Sequence, residues 1–170
     1  MKSKPKPENA LAVRSASVEP WREPEWQRLW LSLQNTAWRS LAIVPAGAGG
    51  PTDLPLRIAV ALARTGMVHL GSPIQVADAS TVPLGSLASF MKEVQRCVDD
   101  GDLILVALGP LTDSPIGVSI AQATDAVVLC VLLDHMATAQ AKKTVAQIGQ
   151  NRFVGSVIFR EGERGVTAAR

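Results

Sequence analysis

A chain of 170 residues, 47% of them hydrophobic, is long enough to bury one proper core and gives no reason to expect a second domain. Its formal charge of +2 is too mild, and its basic residues too little interleaved with aromatics, for nucleic acid to be a partner. No apolar run reaches the length of a membrane span, the first residues lack the apolar segment of a secretion signal, and Cys97 and Cys130 lie far apart without metal-ligand spacing, so a reducing, cytoplasmic location is expected.

In chain order, residues 1–20 are rich in Lys, Pro, Ser and Ala without periodicity and read as a flexible arm. Its lysines, Lys2, Lys4 and Lys6, have no apolar anchor beside them, so peripheral contact with an anionic membrane is the most they are expected to give. Helical periodicity runs from Glu23 to about Gln34 and places Trp26, Leu29, Trp30 and Leu33 on one stripe. All four tryptophans, Trp21, Trp26, Trp30 and Trp38, fall in this region. Packing of the stripe on its own domain is the plainer reading, and a partner interface, where Trp is favoured, is the second.

The chain then alternates. A strand over Leu41 to Val44 precedes a glycine-rich loop and a helix with Leu54, Ile58 and Leu62 as its spine. A strand over Ile74 to Ala77 is followed by a helix marked by Leu87, Phe90, Met91, Val94 and Val98, then a strand over Leu103 to Leu108. A short helix near Val118 to Ala123 leads to a strand over Ala126 to Leu133, a helix through Ala141, Val145 and Ile148, and a last strand over Phe153 to Phe159. Short apolar runs separated by helices call for a mostly parallel sheet covered on both faces, an α/β doubly wound sandwich of about five strands with right-handed crossovers. The domain is expected to span residues 21–162, with 163–170 a short tail.

The loop after the first strand, Ala46-Gly47-Ala48-Gly49-Gly50-Pro51-Thr52, has the setting of a phosphate-binding loop without its chemistry. Such a loop needs backbone N–H groups turned to the phosphates, a Lys for the β and γ oxygens and a Ser/Thr hydroxyl for Mg²⁺. Gly50 and Thr52 fit the end of G-x-x-x-x-G-K-[ST], but Pro51 stands at the Lys position and removes a backbone donor as well as a charge. With Thr52 as N-cap, Asp53 takes the first helical position, where its carboxylate satisfies the positive helix end and repels phosphate. Gly47, Gly49, Gly50, Thr52 and, across the sheet, Asp78 are therefore expected to form only the vestige of a nucleotide site.

Other constellations are thin. His69 and His135 read as structural or surface residues. Asp99-Asp100-Gly101-Asp102 reads as a solvated turn between a helix and a strand rather than a metal loop, and Lys142-Lys143 as a solvated helix face. Asp78, without a cation beside it, reads as a cap or turn residue, and Cys130 as a small buried hydrophobe. No catalytic or metal-ligating residue is expected.

The order of motifs from about residue 23 to 160 resembles the cytoplasmic domain of bacterial tyrosine kinases of the polysaccharide-copolymerase type, within the ParA/MinD-like group of P-loop NTPases. In those kinases a helix with E-x-x-R-x-x-R precedes the first strand and helps subunits associate; Glu25-Trp26-Gln27-Arg28-Leu29-Trp30-Leu31 keeps the Glu and first Arg and has Leu31 at the second. Arg57-Ile58-Ala59-Val60-Ala61-Leu62-Ala63 is similar to the helix after their P-loop, Asp78-Ala79-Ser80 to their D-x-D strand end, and Asp102 to Pro110 to their D-x-h-h-h-D-x-P-P, with Ala107 at the metal-side Asp. Thr124-Asp125-Ala126-Val127 echoes their A-D-x-v, and Gly155-Ser156-Val157-Ile158-Phe159 their G-x-V-L-N, with Phe159 at the base-reading Asn.

The resemblance implies a P-loop NTPase-like fold, and its departures imply lost contacts to phosphate, metal and adenine. The chain has no tyrosine, so it lacks the C-terminal tyrosine cluster that such kinases phosphorylate. The reading is a non-catalytic, cofactor-free regulatory or scaffolding protein of bacterial exopolysaccharide synthesis or export, cytoplasmic or peripheral at the inner membrane. Its expected partner is an inner-membrane polysaccharide copolymerase or further copies of itself, met through Glu25, Trp26, Arg28 and Trp30. Two alternatives remain open: a divergent ATPase binding ATP and Mg²⁺ with a relocated cation such as Arg57 or a Lys from a neighbouring subunit, and a ParA/MinD-like positioning protein that has lost its switch.

Overall fold

Side chains along a strand leave alternate faces, so a strand buried on both sides must be apolar throughout. Three strands here meet that condition: β1 (Ser40–Pro45), β3 (Ile104–Ala107) and β4 (Ala126–Leu132). Leu41, Ile43, Leu105, Ala107, Val128 and Cys130 enter one hydrophobic cluster, while Ala42, Val44, Ile104, Val106 and Val127 enter another on the opposite face. With β2 (Gln75–Asp78), β5 (Phe153–Phe159) and β6 (Thr167–Ala169) they form a six-stranded sheet in the order β2-β3-β1-β4-β5-β6. The computed structural model describes residues 19–133 and 138–159 and the backbone of 167–169. His135 and the arm residues 1–18 therefore lie outside the described residues.

The first five strands pair in parallel and β6 pairs antiparallel with β5. β6 falls inside the segment read from sequence as a tail; three residues with a single β-branched side chain carry too little pattern to announce a strand. Helices α1 (Pro24–Leu33) and α2 (Leu54–Leu70) cover the face of Leu41 and Ile43. Helices α3 (Leu87–Asp99), α4 (Pro115–Ala123) and α5 (Thr138–Ile148) cover the other. Right-handed connections impose this division, because α2 carries the chain from β1 toward the β2 edge while the later helices carry it back the other way. This is an α/β doubly wound, mostly parallel fold. Adjacent strands β1 and β3 send their chains in opposite directions, which leaves a crevice at their carboxyl ends.

The tryptophan stripe turns inward. Trp30 is 1% exposed and Trp26 8%, both within the cluster on the β1 face. Trp30 meets Trp38 edge-on at 6.0 Å, and Trp26 lies 6.4 Å from Phe159. Small residues on α2 make room for them: a Cβ at Gly66 would collide with the Trp30 ring and with Ile74, and Ala59 and Ala63 pack nearby. The Trp38 indole N–H donates to the Leu33 carbonyl at 3.0 Å and so satisfies one of the carbonyls left open at the end of α1. The partner-interface role expected of Trp26 and Trp30 is thereby corrected. A single apolar stripe of large rings needs a cover, and this domain supplies it; of the four residues, Glu25 is half-buried and Arg28 alone stays exposed.

The amino ends of β1 and β4 are clamped by Asp125. One oxygen of its carboxylate accepts from the Arg39 N–H at 2.8 Å, the Ser40 N–H at 2.9 Å and the Ser40 hydroxyl at 3.1 Å. Burial alone would raise its pKa, but these hydrogen bonds and the charge of Arg152 outweigh it and hold the carboxyl below the ordinary aspartate value.

Candidate functional site

The crevice at the carboxyl ends of the strands is a cleft of about 450 Å³. Three loops build it. The end of the β1 loop and the start of α2 contribute Thr52, Asp53, Pro55 and Leu56; the end of β2 contributes Asp78, Ser80 and Thr81; the β3–α4 loop contributes Leu108 to Pro110, Asp113 and Ser114. Ala107 closes the floor in register with Asp78 and Ile43. The structure thus brings together Thr52, Asp53, Asp78 and Ala107, which are scattered over more than fifty residues of sequence. The cleft wall carries the carboxylates of Asp53, Asp78 and Asp113 and no Lys, Arg or His. All three are exposed and Asp53 is paired with Arg57, so Asp78 and Asp113 are the charges that oppose a polyphosphate here.

Within the loop itself the backbone is not a phosphate cradle. An anion nest alternates right- and left-handed residues so that successive N–H groups converge. The positive-φ glycines among the described residues are Gly71, Gly101 and Gly149, so Gly47, Gly49 and Gly50 are none of them left-handed. Gly47 is buried, and a Cβ there would strike the carboxamide of Gln140 on α5. The loop entrance is fixed from two sides, by the Ala46 N–H donating to the Cys130 carbonyl at 2.8 Å and the Thr144 hydroxyl donating to the Ala46 carbonyl at 3.1 Å. Gly49 is exposed and Gly50 half-buried.

Asp53 sits one position earlier than the sequence indicates. It is the N-cap of α2, with φ −88° and ψ −3°, and its side chain makes no capping bond to the helix. Its carboxylate instead lies 3.4 Å from Arg57, one helical turn on, and both side chains are well exposed. The right-handed backbone at Asp53 accounts for the missing capping bond, since a capping side chain reaches the N2 or N3 donor from an extended N-cap. Arg57 lines a neighbouring groove rather than the cleft and reaches the cleft wall only through its pair with Asp53, so the cation invoked for a relocated nucleotide site is not among the cleft's lining residues. Thr52 is exposed at the cleft edge. Donor geometry, charge and loop conformation together do not fit a Mg²⁺-nucleotide.

The fold resembles that of the chimerical protein CapA2B2. Its crystal structure superposes over 84% of this chain and 87% of its own, with a TM-score of 0.58 and 12% sequence identity. At that identity CapA2B2 and this chain share architecture, and nothing follows for ligands. No protein-family profile matches the chain, and no curated protein matches it in sequence.

Of the other sequence candidates, Asp78 lies in the cleft wall and the rest lie outside it. Asp78 accepts from the Ser80 N–H at 3.0 Å, the local turn expected of an aspartate at a strand end. The ring of Phe159 packs on Trp26 at the far side of β4 rather than over the cleft. Gly101, with φ +90°, turns the chain within the acidic run after α3; Arg96 pairs there with Glu93 and Asp100, and Gln95 donates to Asp99. No three His, Cys, Asp or Glu among the described residues are grouped to hold a metal ion. His69 and the pair Lys142-Lys143 are exposed.

Sequence reasoning missed Thr81, Asp113 and Ser114 in the cleft wall and Gln140 and Thr144 over the loop. The first three follow the carboxyl ends of β2 and β3, where an open α/β sheet puts its ligand loops, so position could have found them. No local signal joins Gln140 to Gly47 or Thr144 to Ala46, nearly a hundred residues earlier.

Proposed function

We propose that this chain is a non-catalytic, nucleotide-free P-loop-like module that regulates or scaffolds bacterial exopolysaccharide synthesis or export at the cytoplasmic side of the inner membrane. The observation that supports the first half is the cleft, whose lining holds Asp53, Asp78 and Asp113 and no Lys, Arg or His, Asp53 being paired with Arg57 beside it, together with a preceding loop in which no glycine is left-handed. Phosphoryl transfer rests on positioning and electrostatic stabilisation, and the lining of this cleft offers no cationic side chain to substrate or transition state. The pathway rests on the motif order shared with polysaccharide-type tyrosine kinases and on the fold likeness to CapA2B2. A polysaccharide copolymerase or a second copy of the chain is the proposed partner.

Titration with a fluorescent ATP analogue, with and without Mg²⁺, tests the reading. No saturable signal is expected up to millimolar nucleotide. Micromolar binding or measurable hydrolysis would overturn it.

A further inference from the structure

The cleft at the carboxyl ends of the strands opposes phosphate, yet it is a formed cavity with a chemistry of its own. Its volume of about 450 Å³ falls in the range of about 300–1,000 Å³ usual for small-molecule pockets. The β2 and β3 sides of it are packed on each other, since a Cβ at Gly109 would lie 3.4 Å from the Ser80 carbonyl oxygen. Pro55, Ala107 and Leu108 give it a buried apolar floor. The polar groups stand toward the rim, where Ser80 and Ser114 are half-buried and Asp78 and Asp113 exposed.

Each of these two carboxylates has one local partner and no cation. Asp78 accepts from the Ser80 N–H at 3.0 Å and Asp113 from the Thr112 hydroxyl at 3.1 Å, and among the described residues neither joins an ion pair. Nor do the acids of the cleft converge: no three His, Cys, Asp or Glu among the described residues are grouped to hold a metal ion. A compact divalent cation needs several oxygens gathered on one point, and a nucleotide or sugar phosphate brings the wrong charge. An aliphatic chain with ammonium groups at intervals meets both conditions. Its methylenes can lie on the apolar floor while its heads reach separate acceptors, as a lysine divides its stem and its charge between apolar and polar surroundings. We propose that the cleft binds an aliphatic polyamine, held by Asp78 and Asp113 with the Ser80 and Ser114 hydroxyls as further acceptors. The inference rests on the nucleotide-free reading of the same cleft and names the ligand through which such a module is regulated.

The experiment is isothermal titration calorimetry of the full chain with spermidine, and separately with Mg²⁺, ATP and a trilysine peptide, at about 0.01 M salt, where screening reaches only beyond ~30 Å. One saturable spermidine site is expected, lost at about 1 M salt as the screening length falls to ~3 Å. The double variant Asp78→Asn, Asp113→Asn should weaken binding at least about fivefold, and Thr81→Lys, which sets a cation in the cleft wall, should do the same. Asp99→Asn, outside the cleft, should leave binding unchanged, and all three proteins should keep the wild-type melting temperature because the altered side chains are exposed. No saturable binding, undiminished binding by the double variant, or equal binding of Mg²⁺ would overturn the proposal. So would tighter binding of trilysine than of spermidine, since the basic side chains of a peptide would then be the occupant. Absence of a spermidine signal together with absence of an ATP signal overturns this inference alone, whereas ATP binding overturns the reading beneath it as well.

Discussion

Replacing Trp30 by alanine tests the inward-facing stripe most directly. The indole is 1% exposed and wedged between Trp38 and Gly66, which has no side chain with which to refill the space. Large-to-alanine changes of this kind cost about 3–5 kcal/mol. A partial offset is built in, because the Trp30 indole N–H is buried without a hydrogen-bond partner, and removing an unsatisfied donor recovers about 1–3 kcal/mol that the native state already forgoes. The low end, about 3 kcal/mol, is therefore expected, and at ~2–4 °C per kcal/mol for a domain of this size the melting temperature should fall by about 6–12 °C. Trp30→Phe separates the two contributions: it keeps most of the ring volume and removes the stranded N–H, so its cost should stay below about 1.5 kcal/mol. Urea and thermal unfolding followed by far-ultraviolet circular dichroism read both values. A fall of less than about 2 °C for Trp30→Ala would show that α1 is not part of the core and would return Trp30 to the role of an interface anchor.

Gly66→Ala sets helix propensity, which gains about 1 kcal/mol, against a collision with Trp30 and Ile74 that costs about 1–3 kcal/mol; net destabilisation is expected, and a higher melting temperature would refute the close packing of α1 on α2. Asp125→Ala should cost about 1–2 kcal/mol at neutral pH, by loss of hydrogen bonds to an exposed charged group. Because the folded pKa of Asp125 is depressed, that stabilisation is present above the ordinary aspartate value of 3.8 and disappears as pH falls through the lower folded value. Wild type and variant should therefore converge in acid, and a constant gap down to the lowest pH would refute the clamp. Burial pushes the Cys130 thiol up to about 12, so Cys97 should be alkylated by iodoacetamide in the native protein and Cys130 only on unfolding. Pro51→Lys should leave both the melting temperature and the absence of ATP turnover unchanged, since Asp53 remains in the cleft wall and Ala107 offers no metal support; turnover above background would show that the cleft can still host the reaction.

The strands at the centre of the sheet were legible because burial on both faces leaves an unbroken apolar run in the sequence, and their observed bounds differ from the expected ones by a residue or two at most. Glycine count is less informative. Three glycines in one loop signal conformational freedom, but only backbone angles tell whether that freedom is used, and Gly47, Gly49 and Gly50 do not use it for a nest. The Trp26 and Trp30 stripe was legible as a stripe; its partner was not, because periodicity gives the direction of a face on its own helix and not what lies opposite. Pro51, Asp53 and Ala107 were readable as chemistry, and their convergence in one cleft with Asp78 follows from the strand order rather than from any local pattern.

With four tryptophans and no tyrosine, the near-ultraviolet emission of this protein belongs to one corner of it, the packing of α1 and its flanks against α2 and β5. Circular dichroism, by contrast, sums over every helix. A denaturation curve seen by fluorescence and one seen by dichroism are thus reports on different parts of the same chain: where they coincide, α1 and the sandwich melt as one unit. Where the fluorescence transition comes first, α1 peels away while the sheet survives, and the protein has carried its own label for that opening from the start.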